Sequence, residues 1–135
     1  MVALAAARNT PQFLGTNDSN PVKGGVKIYA GGLVCLDANG WAVPGSTSTT
    51  LTAIGRAEET VDNTSGANGD KNVKTKRGRF RWGNSAAGDL IARTEIGKSV
   101  YVVDDQTVAK TNGTNTRSVA GTVRGVDAQG VWVET

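Results

Sequence analysis

The chain has 135 residues, with 15 Lys and Arg against 12 Asp and Glu and 38% apolar residues, enough for one domain with a thin core and many turns. It contains no histidine and one cysteine. Those counts exclude His-based acid–base catalysis, Ser-His and Cys-His nucleophile pairs, His-rich zinc sites, thiolate metal clusters and an internal disulfide.

Residues 1–22 begin with Ala and Leu, continue through Asn9-Thr10-Pro11 and Asn17-Asp18-Ser19-Asn20-Pro21, and hold no sustained period of 2 or 3.6. They predict an extended N-terminal arm ahead of a single β domain at 23–135. Val2–Ala7 has the composition of a short helical turn, but an isolated helix of that length is unstable in water. The same stretch is too short for a signal-peptide core or a membrane span. A soluble chain made in the cytoplasm, with no membrane partner, is therefore expected.

From Gly25 onward, short β-branched runs are separated by Gly, Asn and Asp, the pattern of strands joined by tight turns. The expected strands are Val26–Tyr29, Leu33–Asp37, Gly40–Val43, Ala53–Val61, Asn72–Trp82, Ser99–Asp104, Thr107–Thr111, Ser118–Val126 and Gly130–Glu134. Ser85–Thr94 is ambiguous: Ala86, Ala87, Leu90 and Ile91 suit a single helical turn under a Ser85 cap, while Gly88 opposes a longer helix. The fold class is all-β, a small antiparallel β-barrel or sandwich with an extended N-terminal arm.

Asp37-Ala38-Asn39-Gly40 and Asp127-Ala128-Gln129-Gly130 each place Asp where its carboxylate bonds back to the backbone and Gly where a positive φ is needed. Both predict hairpins, and Asp104-Asp105-Gln106 suggests a third. The polar stretches Asp62–Asp70 and Thr111–Thr116 have almost nothing apolar to bury and predict exposed, mobile tips. Cys35, inside Leu33-Val34-Cys35-Leu36, is expected to act as a small buried hydrophobe.

Candidate chemistry is sparse. Glu58-Glu59 and Asp104-Asp105 are sequence neighbours that would point to opposite faces of a strand, which does not suit a glycosidase pair. The Asp62–Asp70 loop lacks the alternating ligands and terminal Glu of a calcium loop. The paired glycines precede strands rather than helices, so none forms a phosphate-cradling loop. No enzymatic activity and no cofactor are expected.

The net charge of +3 is unevenly placed, because Lys71, Lys74, Lys76, Arg77, Arg79 and Arg81 fall in one short segment. A bulge at Gly78 would turn Val73, Thr75, Phe80 and Trp82 to one face and Lys74, Lys76, Arg79 and Arg81 to the other. That basic row suits a solvated edge strand, an acidic protein surface, or a nucleic acid. Nucleic acid ranks last, since the bulge sends the aromatics inward, away from the charges. Trp41 and Trp132 stand beside hairpin glycines at core-like parity, so packing accounts for all three tryptophans.

The order of segments carries a resemblance. Leu33–Leu36 runs into Asp37–Pro44; Ile54-Gly55-Arg56-Ala57 and Gly78-Arg79-Phe80 follow; then come Ile96–Asp105, Ala120–Val126 and Gly130-Val131-Trp132-Val133. Residues 24–134 in this order are similar to the head-decoration, or cement, proteins of tailed phages. The resemblance implies a non-enzymatic protein on the outer surface of the virion capsid, the major capsid protein as partner, and a homo-oligomer with a trimer favoured. It marks no individual contact residues. On physical grounds the candidate interface is the arm, through Val2, Leu4, Phe13 and Leu14, with Lys74, Lys76, Arg79 and Arg81. The alternatives are an oligonucleotide-binding barrel using the basic strand 71–82, and a polysaccharide-binding module presenting an exposed tryptophan.

Overall fold

The computed structural model describes residues 2–11 and 15–135. In chain order the strands are β1 (Asn17–Pro21), β2 (Lys27–Ile28), β3 (Leu33–Leu36), β4 (Ala42–Pro44), β5 (Thr52–Ala57), β6 (Val61–Asp62), β7 (Asn72–Lys76), β8 (Arg79–Trp82), β9 (Ser99–Val102), β10 (Val108–Ala109), β11 (Val119–Asp127) and β12 (Gly130–Glu134). They form three antiparallel sheets: β1-β7-β5-β3-β4, β10-β9-β11-β12-β8, and the pair β2-β6. The fold is all-β, built as stacked sheets rather than a closed barrel.

Sequence alternation explains the stacking. In β3 the side chains of Leu33 and Cys35 join Val43 against Val100, Val123 and Val131 of the second sheet. Val34, one residue out of phase, packs with Ile54 and Val73 against Ile28 and Val61. Successive residues of a strand face opposite ways, so the first sheet is covered on both faces at β3, and this strand reads as an unbroken apolar run. Each fully buried valine or leucine contributes about 1.5–3 kcal/mol.

Cys35 lies wholly inside this core, and burial pushes its thiol up to about 12. Reactivity follows the thiolate. Iodoacetamide at pH 8 is therefore expected to leave the native protein unmodified and to alkylate Cys35 stoichiometrically once urea unfolds the chain. Labelling of the folded protein within minutes would contradict the packing described.

Several expected elements shift. The arm boundary at residue 22 falls inside the folded unit, because Asn17–Pro21 pair with Asn72–Lys76 and Val22 is fully buried. An edge strand held chiefly by backbone bonds leaves no apolar period to read. Val2–Ala7 contains no helix. Ser85–Thr94 supplies two short 3-10 turns, Ala87–Asp89 and Arg93–Glu95, and Ser85 Oγ donates to the Val108 carbonyl instead of capping either. The expected strand Ala53–Val61 breaks after Ala57, sending Val61–Asp62 to pair with β2.

The turn chemistry matches expectation. Asp37 Oδ1 accepts from the backbone N–H of Asn39 and Trp41, and Asp127 Oδ1 from those of Gln129 and Gly130. These turns join β3 to β4 and β11 to β12. The Asp62–Asp70 loop, however, is no free tip. Asn63 is buried, and its Nδ2 donates to the carbonyls of Val22, Lys23 and Ala67 at 3.0–3.2 Å.

Candidate partner-binding surface

The basic segment is not one bulged strand. The chain leaves the first sheet after Lys76, passes through Arg77 and Gly78, and enters the second sheet at Arg79. Burial still alternates across the split: Val73, Thr75 and Trp82 are buried, while Lys74, Lys76, Arg79 and Arg81 are exposed. The four cations do not form one row, however, because each pair belongs to a different sheet. Phe80 is only half-buried.

Lys74 and Lys76 lie on β7, between β1 and β5, and neither forms an ion pair among the described residues. Lys76 stands opposite Arg56 of β5. The Arg56 guanidinium in turn sits 4.4 Å from the centroid of the Phe80 ring. Arg56 thus connects the two basic pairs across the seam between the sheets. No local signal marked it, since its partner ring is reached only through sheet packing.

On β8, an edge strand, the outward face is built from cross-strand pairs with β12. Arg79 stands opposite Glu134, which accepts from Arg79 Nε at 3.3 Å and from Arg124 at 2.9 Å. Arg81 stands opposite Trp132, with its guanidinium carbon 5.6 Å from the ring centroid. Trp132 is 39% exposed, which corrects its assignment to the core. Val131 and Val133 take the inward positions of β12, so the residue between them must face out. Its indole N–H donates to Asp127 Oδ2 at 3.0 Å.

Phe80 and Trp82 meet edge-to-face at 6.3 Å. Around them Gly31, Arg56, Arg79, Arg81 and Trp132 line a groove of about 400 Å³. Gly31 also borders the neighbouring groove beside Tyr29, which is 57% exposed with Lys27 Nζ 5.0 Å from its ring. Tyr29, Phe80 and Trp132 therefore each carry a cation.

The arm residues Val2 and Leu4 are 92% and 73% exposed. Phe13 and Leu14, the other proposed anchors, lie outside the described residues. Among the described residues, no three His, Cys, Asp or Glu side chains gather as a metal site, and no helix is long and apolar enough to cross a membrane. No family model, characterised protein or solved structure matches this chain.

The surface carboxylates are tuned by these contacts. Hydrogen bonds from Arg124 and then Arg79 hold Glu134 below the usual range, and the Trp132 indole and the Gln129 N–H do the same for Asp127. A carboxylate whose folded-state pKa is depressed contributes stability above its unfolded value, about 4, and loses it as pH falls through the folded value. In a carbon-detected NMR titration Glu134 is expected to titrate below free glutamate, and Arg124→Gln to raise that midpoint. An unchanged midpoint would remove Arg124 as the cause.

Proposed function

We propose that this chain is a non-enzymatic capsid cement protein of the head-decoration kind. It binds the outer surface of a tailed-phage shell and stabilises contacts between major capsid protein subunits, with a homo-oligomer, a trimer favoured, as the binding unit. The observation that carries the reading is the arm. Residues 2–11 are exposed throughout and present Val2 and Leu4 to solvent, while β1 and buried Val22 fasten the following chain to a layered β body. A segment with apolar side chains left in solvent among the described residues suits ordering on another protein, where it covers a large surface at the expense of ordering entropy.

The solvent-facing Lys74 and Lys76 supply a second contact for an acidic shell surface. Oligonucleotide binding is the weaker reading, because Arg56 and Arg79 already meet Glu58 and Glu134, and those carboxylates repel a phosphate backbone.

Removal of residues 2–14 tests the reading, since the cut stops short of β1. The truncated protein is expected to melt within a few degrees of the full chain and to co-sediment with shells at least tenfold more weakly. Undiminished binding to shells would eliminate the arm as an anchor.

A further inference from the structure

We propose that the groove along β8 is a docking site for an extended, carboxylate-bearing segment of a protein partner. Three observations converge on it. First, Arg79–Trp82 pair with β12 alone, and although the opposite edge is taken at Gly83 by Gln106 and Val108, the backbone of Arg79 and Arg81 remains an edge for an incoming strand. Second, Arg81 is exposed and forms no ion pair among the described residues, whereas Arg56 and Arg79 are taken by Glu58 and Glu134. Its guanidinium is held against Trp132, leaving a planar fork suited to bidentate bonding with one carboxylate. Third, the half-buried Phe80 and exposed Trp132 supply an apolar floor beside that fork.

Charge selects among the occupants. Glu58, Glu134 and Asp127 sit around the same rings and arginines. They disfavour a continuous run of phosphates, yet they leave Arg81 open to a single well-placed acid. The arm of a second copy does not fit, because residues 1–17 contain neither Asp nor Glu. The occupant that fits is an extended segment of another protein, lying alongside Arg79–Arg81 with one Glu or Asp on Arg81. The proposal does not depend on which particle the protein coats.

The test uses the full chain, labelled with ¹⁵N, and a blocked, valine- and threonine-rich peptide with one central glutamate. Controls are the same peptide with glutamine for glutamate, and oligothymidylate. The acidic peptide is expected to shift the amides of Arg79–Trp82 and the Trp132 indole N–H. R81Q should weaken binding at least tenfold and R81K nearly as much, while the K74Q/K76Q double variant, which removes more charge, should bind within twofold of the parent. Arg81 is a surface residue, so an unchanged melting temperature will show that its variants are folded. The proposal fails if the glutamine peptide binds equally well, if K74Q/K76Q weakens binding as much as R81Q, if oligothymidylate binds the same residues more tightly at equal salt, or if no shifts appear at β8.

Discussion

Gly55→Ala is expected to destabilise the protein by about 3–5 kcal/mol, combining backbone strain with overpacking. Gly55 has φ +142°, a region costly for a residue with a side chain. It also follows a register shift where β5 runs against β3, and there β5 passes close to β7. A methyl group at Gly55 would overlap the Lys76 carbonyl oxygen and lie 2.9 Å from its carbon. Because these are backbone atoms, relief requires the two strands to part. The loss is a large share of the about 5–15 kcal/mol typical of a domain, and should lower the melting temperature by about 10 °C or more. Gly40→Ala is the control: φ is +86° but nothing lies within 4 Å of the added methyl, so about 1 kcal/mol of strain is expected. Equal urea midpoints for the two variants would contradict the close approach of β5 and β7. The folded fraction of Gly55→Ala should also lose the contact of Arg56 with Phe80, because Arg56 is the next residue.

Asn63 sets the second large effect. Its Nδ2 is the hydrogen-bond donor for three carbonyls at the junction of the Asp62–Asp70 loop with Val22 and Lys23. Asn63→Ala leaves acceptors without that donor in a buried place and should cost about 2–4 kcal/mol. Asn63→Asp should be worse at neutral pH, because a carboxylate has no proton to donate and would face three oxygens out of water. Urea denaturation at pH 7 is expected to rank stability as parent above Asn63→Ala above Asn63→Asp. An Asp variant as stable as the parent would mean that the loop is not anchored through this side chain.

These two positions also show what was legible in the sequence. Gly40 and Gly130 announced their turns because the Asp three residues earlier carries the turn chemistry locally. Gly55 gave no such signal, since what constrains it is a carbonyl twenty-one residues away. The Asp62–Asp70 loop read as a free tip for a similar reason: its anchor is polar, and two of its acceptors lie about forty residues upstream, so no apolar pattern records it. Leu33–Leu36 was legible as a strand, and its uninterrupted apolar run reflects burial on both faces.

The basic segment was half legible. Burial parity located the exposed Lys74, Lys76, Arg79 and Arg81 and the buried Trp82, but parity cannot say that a chain changes sheets at Arg77 and Gly78. Trp132 was misassigned because size and a neighbouring glycine suggested core, whereas Val131 and Val133 on either side take both inward positions. The groove depends on that outward tryptophan and on Arg56, a pairing made by sheet packing alone.

The most direct test of the proposed cement function is cryo-electron microscopy of tailed-phage virions purified from cells that express this chain, with the bound copies counted by quantitative gel analysis. Density for this layered β body is expected at regular positions on the outer capsid surface, with the N-terminal segment ordered across a boundary between major capsid protein subunits. Virions with no such density, or with this chain confined to the particle interior, would contradict it.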